Sequence, residues 1–210
     1  TVMLIFTTVI LSKWKKLSSV FKDKKKVMML FLSGLLIFTN WAVWIYAIGN
    51  DQVIDASFGY FIMPIISVFL GYFFLKEQLS FKTKISLLIV TTSILYLVIS
   101  SFKSIPWVGL IVALSWSFYN LVRKKIDVDT DIGLLVESLF IFPAVLFAFY
   151  LIVQNDLNDF DISNIKLMLI FMLAGPMTVI PLYLYVRGVE LCGLGPVSYT
   201  HLTLPTTSPV

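Results

Sequence analysis

The 210 residues are 59% hydrophobic and only 13% charged, with a mean hydropathy of +0.93, against roughly 45–50% apolar residues in a soluble domain. So much apolar surface does not fit inside one water-facing core, which excludes a soluble enzyme and points to the lipid bilayer as solvent. The formal charge is +4, yet the basic residues stand in short islands between apolar runs; one cysteine, Cys192, and one histidine, His201, leave no internal disulfide and no Cys/His metal centre, and no cofactor is expected.

Residues 1–11 form an apolar stretch about half as long as a membrane span. A signal peptide carries its basic residues before the apolar segment, whereas Lys13, Lys15 and Lys16 follow it, so the stretch reads as the end of a truncated transmembrane helix. Six full spans are then expected over 27–48, 57–75, 85–102, 106–122, 132–153 and 167–186. Each holds about 17 to 22 residues, roughly 26–33 Å of helix at 1.5 Å per residue, which matches the hydrocarbon core.

In the span 27–48, Ser33, Asn40 and Trp44 lie seven and four positions apart and share a face. A polar and aromatic stripe on an apolar helix faces protein or a cavity, so Asn40 either bonds a neighbouring helix or contacts substrate. Trp41 and Trp44 lie too deep for the interfacial aromatic belt. In 57–75, Pro64 removes a backbone hydrogen bond and frees the carbonyl of Tyr60, which must find a partner or line a cavity. Pro143, Pro176 and Pro181 do the same in later spans.

In 106–122, Gly109, Ala113 and Ser117 recur every fourth position, the small-xxx-small pattern that lets helix backbones approach. Trp116 and Asn120 mark a neighbouring face suited to a pathway. In 132–153 stands Glu137, whose charge costs about 2.5–3.5 kcal/mol on insertion, offset by apolar neighbours each returning roughly 0.3–0.6 kcal/mol. It is about five residues, roughly 7–8 Å, from the helix start. Glu137 is a candidate proton or cation acceptor; the alternative is a structural bond to a neighbouring helix.

Of the 16 basic residues, all but Lys103 and Lys166 fall in alternate loops: Lys13 to Lys26, then Lys76, Lys82 and Lys84, then Arg123 to Lys125, then Arg187. This asymmetry makes the lysine-rich side cytoplasmic and sends the acidic segment 154–164 outward. The run Lys22 to Lys26 would also suit nucleic acid or lipid, but a topology determinant accounts for it, and no nucleic-acid partner is expected. The stretch 197–210 is rich in Thr, Ser and Pro, lacks an apolar run, and is expected to be foreign to the fold.

Ile45-Tyr46-Ala47-Ile48-Gly49 echoes Leu184-Tyr185-Val186-Arg187-Gly188, and by the charge pattern the first ends outside and the second inside, as in an inverted repeat. Asn40-Trp41, Trp44-Ile45-Tyr46-Ala47, the run Ala56-Ser57-Phe58-Gly59-Tyr60-Phe61-Ile62-Met63-Pro64, Leu70-Gly71 and Phe74-Leu75-Lys76-Glu77 resemble the RarD-type branch of the EamA transporters in the drug/metabolite transporter superfamily. Tyr119 to Lys125 and Gly133 to Ser138 resemble later motifs of that branch.

The resemblance implies an all-α integral membrane protein with ten helices in two inverted five-helix halves. About seven would be present: residues 1–102 as the end of the first half (helices two to five) and 103–196 as the start of the second (helices six to eight). Met63 replaces an expected asparagine. Glu77 matches the glutamate after the family's fourth helix, where a structural or gating role is implied, shared with Pro64.

Together these features predict a secondary transporter in the bacterial inner membrane, exporting small metabolites or drugs under the proton gradient. Glu137 is the candidate coupling group, and Asn40, Trp44, Tyr60, Trp116 and Asn120 are pathway candidates. The alternatives are a non-transporting membrane scaffold and a membrane-embedded enzyme; the second would need an intramembrane Ser/His pair, paired aspartates or a histidine-rich metal site, and none stands in the spans.

Overall fold

The computed structural model describes residues 1–101, 106–155, 164–194 and 197. The expected outward segment around Asp156, Asp159 and Asp161, and the tail 198–210, lie outside the described residues. The described residues form helices in the order α1 (Val2–Ile10), α2 (Trp14–Lys22), α3 (Lys24–Gly49), α4 (Val53–Leu75), α5 (Phe81–Ser101), α6 (Trp107–Lys125), α7 (Thr130–Gln154) and α8 (Ile165–Cys192).

Among the described residues, α3, α4, α5, α7 and α8 are each long and apolar enough to cross a bilayer. None of the most apolar stretch of α8 is buried inside the protein, and almost none of that of α5. Phe171, Met172, Leu88 and Tyr96 project outward from them, an apolar surface of the kind a bilayer covers. The protein is an all-α integral membrane protein.

Six full spans were expected from the sequence, and α6 is the one that falls short in apolar content. The reason is its polar load: Ser115, Ser117, Asn120 and Arg123 are all buried. The helix face packed against protein can carry groups that a lipid-facing surface cannot. Two further differences appear in what was expected as loop. The lysine-rich segment after α1 contains the nine-residue helix α2, and α8 runs past Arg187 to Cys192.

The chain forms two compact units of contacts. The first comprises Thr1–Leu35 and Ile126–Arg187. Its core is Leu4 of α1 against Leu134 and Leu135 of α7, with Leu17, Leu139, Val179 and Leu182 around them. Helix starts gather at one end, where the Lys26 ammonium donates to the carbonyl of Asp127 at 2.7 Å. The Asp23 carboxylate accepts the Lys25 and Lys26 backbone N–H groups at 3.0 and 3.2 Å and so caps the start of α3.

The second unit comprises Leu36–Lys125 and the described part of Gly188–Val210. Here α4 and α6 pack side by side along most of their length. Ala47, Ala56, Val108 and Val112 form its apolar centre, with Val43 and Trp44 against them. The Asp55 carboxylate accepts the Gly109 backbone N–H at 3.2 Å, satisfying one of the orphan donors at the start of α6 from a neighbouring helix.

Candidate functional site

In the first unit the sequence places a carboxylate where lipid would not tolerate it, and the structure surrounds that carboxylate with protein. Glu137 is only 2% exposed. The Ser33 hydroxyl donates to its Oε1 at 2.5 Å and also lies 3.0 Å from the Leu30 carbonyl. Gly34 makes the approach possible: a Cβ there would stand 3.4 Å from the Glu137 carbonyl oxygen and 3.5 Å from its Cα. Phe31 and Phe140 close one side in an edge-to-face contact at 5.5 Å. The result is a buried carboxylate that accepts a hydrogen bond from the Ser33 hydroxyl of a neighbouring helix.

Around the start of α7, Asp129 and Asp131 receive Lys16 and Lys13 at 2.7 and 2.6 Å. Lys16 holds the Asp129 carboxyl below its ordinary range, with burial opposing it. The hydrogen bond that the Lys13 ammonium donates to Asp131 holds that ammonium above its usual range. Negative charge in the first turn also suits the positive end of the α7 dipole. The sequence showed these charges but not their pairing.

In the second unit Asn40 is buried, and its side-chain amide donates to the Val112 carbonyl at 2.9 Å and to Ser115 Oγ at 3.1 Å. One turn further along α3, the Trp44 ring stacks on Tyr60 of α4, centroids 5.5 Å apart and planes 28° from parallel. The structure therefore brings together Asn40, Trp44 and Tyr60. Trp116 packs its ring 5.9 Å from Tyr119, and Asn120 is buried on the same helix. Trp41 projects outward rather than into the protein.

The expected small-residue stripe lies against α4. Gly59 and Gly109 meet backbone to backbone, and a Cβ on Gly59 would collide with the Gly109 carbonyl. Two turns on, Ser117 Oγ lies 3.2 Å from Ser67 Oγ and 3.2 Å from the Met63 carbonyl, next to the buried Pro64. Glu77 accepts the Leu194 backbone N–H at 3.0 Å on Oε1. Its carboxylate fills the space beside Gly71 and Gly193, the latter at φ +93°.

A further ion pair in this unit was not anticipated from the sequence. Arg123 is 1% exposed and lies 3.3 Å from Glu190 Oε1, while Lys124 donates to the Val189 carbonyl at 3.0 Å and to that of Glu190. Lys124 thus sits on the last carbonyls of α8, the negative end of its dipole. The signal was present in Arg123-Lys124-Lys125, which alternation had assigned wholly to topology. Among the described residues no group of three His, Cys, Asp or Glu side chains is placed to hold a metal ion.

Comparison with known proteins gives a consistent relationship. Residues 1–99 match the EamA-like transporter family. The chain is 31% identical over 194 residues to Protein RarD of Salmonella typhi, covering 92% of this chain and 66% of that protein. It is 34% identical over 195 residues to the uncharacterized transporter YojE of Bacillus subtilis, covering 92% and 63%. Protein RarD of Escherichia coli is 29% identical over 194 residues, covering 92% and 65%. The chain thus spans about two thirds of the length of these relatives. No solved structure matches it.

Proposed function

We propose that this chain, which belongs to the EamA-like transporter family on its RarD-type branch, is the greater part of a secondary transporter that exports small metabolites across the bacterial inner membrane. The observation that carries the reading is Glu137: a carboxylate enclosed in a membrane-spanning helix, with Ser33 as hydrogen-bond donor. Ionisable groups at such depth are costly and mark ion or proton pathways. Glu137 is proposed as the proton-coupling group.

In the second unit, Asn40, Trp44 and Tyr60, with Trp116 and Asn120, are proposed as the substrate pathway; amide and aromatic groups suit small planar or polar molecules. Glu77 and Pro64 are proposed as structural supports, since Glu77 joins α4 to the end of α8. The division at residues 102 and 103 into halves of an inverted repeat is proposed on the family relationship and the charge alternation. The lysine-rich ends are proposed as cytoplasmic.

The intact gene product in proteoliposomes, with a pH dye inside, tests the reading. An imposed proton gradient should drive movement of added metabolites, and metabolite addition should dissipate the gradient. Absence of any gradient-driven flux would favour the scaffold reading.

A further inference from the structure

The helix α2 has a polarity that neither packing nor topology explains. Leu17 packs on the Leu4, Leu134 and Leu135 cluster, and Val20 is buried beside it. Lys16, on another side, is tied to Asp129. The remaining surface divides in two at the helical repeat of 3.6 residues. Trp14 and Phe21, seven positions apart, form one flank and stand 53% and 48% exposed. Lys15 and Lys22, also seven apart, form the next, and both are exposed.

Directly after it the chain continues through Lys24 and Lys25, also exposed. Among the described residues no carboxylate pairs with Lys15, Lys22, Lys24 or Lys25. The acid nearest in sequence, Asp23, is occupied in capping α3. A topology signal needs positive charge near the span but not two large aromatic side chains on the flank beside it. That combination is the signature of a helix lying in the membrane interface, aromatics in the acyl boundary and ammonium groups among phosphates.

We propose that α2, with Lys24 and Lys25, is a binding surface for anionic phospholipid headgroups. Trp14 and Phe21 enter the lipid, and Lys15 and Lys22 with the two following lysines hold the phosphates. The occupant follows from charge complementarity and from the location of the helix, which leads directly into α3, a helix long and apolar enough to cross the bilayer. Because Lys13 and Lys16 bind Asp131 and Asp129, lipid on the outer flanks would bear on the start of α7. The proposal requires only membrane integration and stands apart from the transport reading.

The test uses the intact gene product in nanodiscs of phosphatidylcholine with or without phosphatidylglycerol. In a Cys192→Ser background, Ser18→Cys, between the aromatic and basic flanks, carries an environment-sensitive fluorophore. Its emission should shift to the blue when phosphatidylglycerol is present. In detergent, retention of phosphatidylglycerol over phosphatidylcholine, read by native mass spectrometry, should fall about thirtyfold in Lys15→Gln/Lys22→Gln, given about 1 kcal/mol for each lysine near an anionic surface.

Lys15→Arg/Lys22→Arg should keep the preference, which separates charge from any loss of folding. Equal emission in both nanodiscs, an undiminished preference in the glutamine variant, or loss of preference in the arginine variant would each overturn the proposal. So would an emission shift that requires a second protein.

Discussion

Ser33 on α3 donates a 2.5 Å hydrogen bond to Glu137 on α7, joining side chains 104 residues apart in the chain. The bond gives a buried carboxylate its donor, and it sets up the first prediction. Glu137→Gln retains an oxygen that Ser33 can bond but cannot ionise, so the variant should fold normally while its transport loses pH dependence. Ser33→Ala, in contrast, removes this hydrogen bond and should destabilise the protein by about 1 kcal/mol, the usual net worth of one bond. Denaturation in mixed micelles measures the second effect, and flux against pH the first.

Gly59 and Gly109 allow α4 and α6 to touch through their backbones. Gly59→Val should force the helices apart at a cost of about 1–3 kcal/mol, seen as a lowered melting midpoint in detergent. Gly175→Ala is the control, since a Cβ there meets nothing within 4 Å. It should leave the midpoint unchanged or raise it slightly, as alanine is the better helix former.

Gly193 sits at φ +93° with the Glu77 carboxylate against it, and a Cβ would stand 2.7 Å from Oε1. Gly193→Ala should therefore loosen the end of α8 and raise proteolysis there. Glu77→Gln, which keeps an acceptor for the Leu194 N–H, should change it far less than Glu77→Ala.

The ion pairs at the start of α7 make its anchorage to the α1–α2 junction depend on pH. Asp129 is held below its ordinary value of 3.8, so its contribution is present above that value and is lost as pH falls through the depressed one. Lys13 is held above 10.5, so its contribution is full below that value and is lost as pH rises through the elevated one. The protection factors of amides near residues 129–131, measured relative to intrinsic exchange at each pH, should thus be highest between these limits and fall at either end. Asp129 is 41% exposed, so salt should weaken the same protection.

The long helices were legible because a bilayer imposes length and apolarity together: 27–48 and 132–153 anticipate α3 and α7 to within a few residues. The stripe Gly109, Ala113 and Ser117 was legible as packing because small residues at four-residue spacing have few other uses. Helix α2 was missed because nine residues with mixed polarity carry no hydropathy signal and look like a basic loop. Periodicity placed Ser33 with Asn40 and Trp44 on one face, but not against which partner. In the structure Ser33 meets Glu137 of α7 while Asn40 meets Val112 and Ser115 of α6. The echo at Gly49 and Gly188 also differs in setting, since Gly49 ends α3 and Gly188 lies inside α8.

The shared backbone contact at Gly59 and Gly109 and the serine pair two turns away fasten α4 to α6 at two separate heights. Two rods riveted twice neither slide nor pivot on each other. In any rearrangement of this unit, α4 and α6 are expected to move together as a single strut.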